Sequence, residues 1–310
     1  MLHRVLAIAL NTYRESVRAR ILLGLAGIAF SVSLFSLVIG AFTLRDQARV
    51  MSDLGAASIS IFSIAVAIVI GSTSLHRELE QKTIFPILAR PIRRGEYLCG
   101  KYLGMMLTIA VFIMADGGLV LLLSAALGGR PIGQIVGAFV ALLAALGVAM
   151  WRWPRARTYG PIPWAVAMLV AGVVLASVTP DERRVVLGSG LLSLLEVAIV
   201  SAIGMLFSSF STPFLSALLT LGMVAIGRSA DTLTKLQAKY FGQHARDVAI
   251  ALSKVVPNLH VFVPARPLFT GEVAGVALAP YLGMAAVTSI GWSVALLAIA
   301  GFIFKKRDFL

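Results

Sequence analysis

Residues 54–75 read LGAASISIFSIAVAIVIGSTSL, and this uncharged run decides the class of the protein. A helix needs about 20 predominantly apolar residues to cross the hydrocarbon core of a bilayer. In lipid the backbone must satisfy its own hydrogen bonds, so such a run reads as a helix. Residues 21–42 and 283–304 are likewise free of charge. The 310-residue chain is 59% hydrophobic and 13% charged, with mean hydropathy +0.92. A soluble domain would carry about a quarter charged residues. The chain is therefore an all-α polytopic membrane protein, and a single transmembrane domain accounts for residues 1–310.

Eight spans are predicted, at 21–43, 54–75, 102–127, 132–150, 162–178, 187–208, 213–228 and 281–304. A six-span count omits the 132–178 hairpin. The first run starts at Ile21 and is too long for a signal core, so the first span is expected to be retained. With the N-terminus inside, the inner segments hold Arg4, Arg14, Arg18 and Arg20, then the cluster from Arg77 to Lys101. They also hold Arg152, Arg155, Arg157, Lys305, Lys306 and Arg307. Together these are sixteen of the 27 basic residues. That bias places both termini in the cytoplasm and makes the span number even. Arg45, Arg49, Arg130, Arg183 and Arg184 fall in short outer loops, and the remaining six basic residues run from Arg228, at the end of the seventh span, to Arg266 in one long outer segment, 229–280.

Net charge is +13. In a soluble protein that would raise nucleic acid as a partner. Here the basic residues belong to cytoplasmic loops facing anionic headgroups, so the expected partner is the bilayer and not nucleic acid. Residues 1–20 place Leu2, Val5, Leu6, Ala9, Tyr13 and Val17 on one helical face and Arg4, Asn11, Arg14, Glu15 and Arg18 on the other. This pattern reads as an amphipathic helix lying in the interface. The single cysteine, Cys99, excludes an intrachain disulfide and is expected to be buried or idle.

The chain shows no energy-coupling motif. GEYLCGK (95–101) formally fits G-x-x-x-x-G-K, but Tyr102 stands where a phosphate loop needs Ser or Thr for magnesium. His3, His76, His244 and His260 are scattered, and no metal-ligand set is expected. No G-x-S-x-G is present, so no serine hydrolase and no catalytic residues are expected.

Residues 75–104, LHRELEQKTIFPILARPIRRGEYLCGKYLG, hold the main functional signal. A polar, helix-permissive start is followed by Ile84, Phe85, Ile87 and Leu88, which present apolar side chains amid charge. Pro86 and Pro91 fix the backbone. Such an element suits docking into a groove on a partner. A basic turn resting on headgroups accounts for the same residues, and from physics alone the two readings stand level.

The stretch resembles the loop between the second and third spans of type-2 ABC exporter permeases. It is most similar to the branch containing the nitrous oxide reductase copper-processing permease. The matching positions are Glu78 or Glu80, Thr83, Ile84 with Phe85, Leu88, Pro91, Arg94, and Gly100 with Lys101. Residues 11–20, 206–213, 255–262 and 304–309 resemble further parts of the family in order. The 132–178 hairpin departs from the usual six spans.

The resemblance implies a type-2 ABC exporter fold with about eight transmembrane helices, six plus an extra hairpin. It implies that 76–101 forms a cytoplasmic coupling helix docking on a separate ATP-binding subunit. Glu78, Glu80, Thr83, Ile84 and Phe85 would make that contact. Arg90, Arg93, Arg94 and Lys101 would lie at the membrane interface. The chain itself would hold no cofactor; ATP and Mg would be bound by the partner, present in two copies. The permease would pair with a second copy of itself in a bacterial inner membrane. Outer re-entrant segments would fall within 229–280.

Asp116 and Glu196 lie within spans, where an ionised carboxylate costs about 2.5–3.5 kcal/mol on insertion scales. Both are candidates for a substrate path or for pairing between helices. Gly117 and Gly118 beside Asp116 allow a close helix approach or a kink. A secondary transporter, or a scaffold recruiting a soluble partner through 76–101, is the alternative function. The sequence does not name a substrate.

Overall fold

The computed structural model describes residues 2–43, 46–74, 94–234, 243, 256–272 and 277–306. Every regular element among them is helical. Helix α1 is Leu2–Arg18, α2 is Arg20–Ala41, α3 is Gln47–Ser74 and α4 is Arg94–Leu127. Then come α5, Ile132–Arg152, the one-turn α6, Ala156–Tyr159, and α7, Pro161–Leu175. They are followed by α8, Pro180–Ser208, α9, Pro213–Arg228, and the short α10, Ala230–Thr234. A 3-10 turn at His260–Phe262 and the short α11, Pro267–Thr270, precede α12, Leu278–Lys306. Pro161, Pro180 and Pro213 open their helices, where a missing N–H costs nothing.

Seven helices among the described residues are long and apolar enough to cross a membrane: α2, α3, α4, α5, α7 together with the 3-10 turn that extends it to Val178, α8 and α12. The segment expected as the seventh of eight spans is α9, which has only 16 residues. It reaches roughly 24 Å, short of a hydrocarbon core of about 30 Å. The chain then regains the far end of the bundle through α11, where Arg266 bonds Asp53 near the start of α3 and Glu182 in the first turn of α8. Helix α12 starts from that end, its Tyr281 hydroxyl donating to the Val261 carbonyl. It finishes beside the start of α4, where Gly301 faces Leu98. Helix α1 and the end of α12 thus occupy the same end of the bundle.

The core is built on α4 and α8, whose apolar windows are the most buried, at 72% and 67%. In a bilayer the driving force for association is packing, and small residues allow it. Gly71 of α3 meets Gly204 of α8 so closely that a Cβ on Gly204 would lie 3.2 Å from the Gly71 Cα. A Cβ on Gly118 of α4 would lie 2.6 Å from the backbone of Met168 in α7. The hairpin at 132–178 is present as α5 to α7. Its two arms differ: α7 packs on α4, whereas the apolar window of α5 is only 6% buried.

Helix α1 buries part of the expected apolar face. It lies along α4 on Ala9, Thr12, Tyr13 and Ser16, all buried, while Leu6 of the expected apolar face is exposed. The reason is steric. Gly100 and Gly104 open the surface of α4, and Ile8, Ala9 and Thr12 fill it at distances a side chain would forbid. Ala9 and Tyr13 of the expected face are buried in this contact, and the glycines let it close. GEYLCGK forms the first turns of α4, and Cys99 within it is exposed rather than buried.

Candidate functional site

Two polar networks flank one cavity. Glu196, fully buried on α8, receives a two-pronged hydrogen bond from Arg228 at the end of α9. Arg228 Nε donates to Oε1 at 2.7 Å and Nη2 donates to Oε2 at 2.8 Å. Nη2 also donates to the Ser60 hydroxyl of α3. The helix lengths explain why the three meet. Counted from the end of the bundle where α9 begins, Glu196, Ser60 and Arg228 each lie roughly 18–22 Å along their helices. The paired, bidentate geometry is what makes two charges tolerable at that depth.

The second network is nearer the opposite end. Arg266, with 14% of its side chain exposed, donates to Asp53, to the Ser52 hydroxyl at 3.1 Å and to Glu182 at 3.3 Å. One guanidinium therefore ties the segment before α11 to both α3 and α8. Leu259 N–H donates to the Gly227 carbonyl at 3.0 Å, joining the segment from 256 to the end of α9. Asn258 Nδ2 donates to Asp231 Oδ1 at 2.9 Å.

Between these networks lies a cavity of about 300 Å³. Ser60, Ser189, Ser193 and Arg228 form its polar part, and Val185, Phe262 and Phe269 belong to its apolar wall. Asp53 and Arg266 also line it. Its lining is mixed, with polar groups from both networks and aromatic and aliphatic surface between them. No group of three or more His, Cys, Asp or Glu able to hold a metal occurs among the described residues.

The residues singled out from the sequence are scattered relative to this cavity. Glu196 anchors its deep network. Asp116 stands apart on α4, fully buried, accepting from the Ser33 hydroxyl of α2 at 2.9 Å. Glu78, Glu80, Thr83, Ile84, Phe85, Arg90 and Arg93 lie outside the described residues. Arg94 opens α4. Lys101, expected at the headgroup level, is buried at 2% exposure, with its Nζ 5.5 Å from the centre of the Tyr97 ring. Its burial follows from α1 covering the first turns of α4.

Arg228 and Arg266 were not singled out from the sequence. The signal for Arg228 was present: an arginine closes an apolar run too short to span, while a carboxylate sits inside a neighbouring run. Nothing local marks Arg266, which lies between Pro264 and Pro267 and meets Asp53 and Glu182 only in the fold.

The family model described as ABC-2 family transporter protein matches residues 6–309. The chain belongs to the ABC-2 transporter family. Among curated proteins no match is found. Membership makes this permease a membrane component of an ABC-type transporter, and it implies an ABC ATP-binding partner.

Proposed function

We propose that this ABC-2 permease is the transmembrane subunit of an ATP-driven exporter. Two copies pair, and each docks a separate ATP-binding subunit through residues 76–101. The observation that carries the reading is the family match across residues 6–309, which includes that loop. Glu78, Glu80, Thr83, Ile84 and Phe85 make the docking contact. Arg90, Arg93 and Arg94 lie at the boundary between subunit and headgroups. ATP and Mg are held by the partner. The loop joins α3 to α4, so a push on it acts on the helix carrying Asp53 and Ser60 and on the central helix of the bundle. The cavity between α3, α8 and the segment 256–270 then changes shape with the nucleotide cycle. Both termini lie in the cytoplasm of a bacterial cell, at the inner membrane. Within the family, the residues of the loop favour the branch containing the nitrous oxide reductase copper-processing permease.

The test is co-purification. The full chain, expressed with an ATP-binding subunit encoded beside it, is expected to hold that subunit as a complex of two and two. Phe85→Ala and Glu78→Lys are expected to release it without loss of the folded permease. Failure to bind any ATPase, with both variants retaining function, would sink the reading.

A further inference from the structure

The α5–α7 hairpin opens a groove on the surface of the bundle, about 460 Å³ in volume. Leu142, Ala145 and Ala149 of α5 form one bank, Pro163 and Ala167 of α7 the other, and Arg155 stands at the turn that closes it. The groove belongs to the membrane. Hardly any of the apolar window of α5 is buried, and Trp151 and Trp153 project beside the turn at 83% and 59% exposure. Exposed tryptophans at the end of a span mark the headgroup level. The groove thus starts at the interface and runs along α5 into the hydrocarbon.

We infer that this groove seats one anionic phospholipid, with its phosphate at Arg155 and an acyl chain along α5 and α7. An apolar crevice offers water no partners and stays dry, so in a bilayer it is filled by hydrocarbon. The headgroup class follows from charge. Arg152, Arg155 and Arg157 are all exposed at the turn. Arg157 Nε donates to the Met150 carbonyl, and neither Arg152 nor Arg155 makes an ion pair among the described residues. No Asp or Glu occurs between Asp116 and Asp181. A guanidinium binds phosphate oxygens in a planar fork, and a cluster of three repels the ammonium of a zwitterionic headgroup. The inference needs only the bilayer and does not rest on the exporter reading.

The experiment uses the full chain, reconstituted in bilayers of equal phosphatidylglycerol and phosphatidylcholine, with retained lipid identified by native mass spectrometry. Preferential retention of phosphatidylglycerol is expected. Arg155→Gln is expected to lower that preference about fivefold, the effect of one basic residue at an anionic surface. Ala145→Phe, which fills the groove from its exposed bank, is expected to abolish retention while the melting temperature holds. Equal retention of both lipids overturns the proposal, as does preference unchanged in both variants. A disulfide between copies of an Ala145→Cys chain, in a Cys99→Ser background, also overturns it, because a second permease then occupies the groove.

Discussion

Arg228 grips Glu196 with both prongs of its guanidinium, at 2.7 and 2.8 Å, across the contact between α9 and α8. The carboxylate is fully buried and the arginine side chain is 28% exposed. Removing Arg228 strands a fully buried carboxylate, and removing Glu196 leaves a largely covered guanidinium without its counter-charge. Arg228→Met or Glu196→Leu alone is therefore expected to cost on the order of 3 kcal/mol, whereas the double variant recovers much of it. Melting temperatures of the four purified proteins check this. Additive losses would show that the two side chains act independently.

Glycine 118 is a second point where the fold has no slack. An added Cβ would lie 2.6 Å from the Met168 carbonyl carbon and 2.7 Å from its oxygen, both backbone atoms that cannot step aside. Gly118→Ala must push α7 from α4, at about 1–3 kcal/mol. Gly137→Ala on α5 meets nothing within 4 Å and is expected to be neutral or slightly stabilising. Thermal unfolding of the two variants separates a contact requirement from a general intolerance of alanine.

These two positions also show what the sequence made legible. Residues 54–74 of the apolar run became the middle and end of α3, and of the two glycines beside Asp116, Gly118 marks a real close approach while Gly117 makes only ordinary contacts. Glu196 stood out as a carboxylate in an apolar run, so its need for a partner was readable. Arg228, closing a run too short to span, carried a signal of its own, but the pairing of the two needed the fold, which stops α9 at the depth of Glu196. Arg266 required the tertiary fold outright, since its acceptors Asp53 and Glu182 come from two other helices. The exposure of Leu6 was hidden for a related reason: periodicity finds a hydrophobic face, but α1 docks through the glycine gap on α4.

Tyr13 ties α1 to the hairpin by stacking on Tyr159, ring centres 6.3 Å apart. Its hydroxyl is buried with no hydrogen-bond partner among the described residues. Burial, with Tyr159 adding to it, pushes the phenol up to about 12 from its ordinary 10.0. Tyr13→Phe keeps the stack and removes an unsatisfied polar group, so it is expected to match or exceed the wild type by up to about 1 kcal/mol. The pH dependence has a definite sign. Above pH 10 the unfolded phenol ionises while the folded one stays neutral, so the wild type loses stability between pH 10 and about 12. The phenylalanine variant lacks that loss. Melting curves at pH 8 and pH 11 decide it, and an equal alkaline decline in both proteins would refute the assignment.

Asp116 offers the test that divides packing from passage. Ser33 Oγ donates to its Oδ1 at 2.9 Å, binding α2 to α4, while Oδ2 has no partner among the described residues. Asparagine keeps the acceptor and the volume and removes the acidic group. If Asp116 pairs helices, Asp116→Asn should express, fold and support partner-driven ATP hydrolysis and transport like the wild type. Asp116→Leu, which leaves the Ser33 hydroxyl without its acceptor, should lose about 1–3 kcal/mol. The informative contrary result is a stable Asp116→Asn protein that no longer transports. That outcome would assign the carboxylate itself to the substrate path, because the hydrogen bond to Ser33 is preserved in the variant.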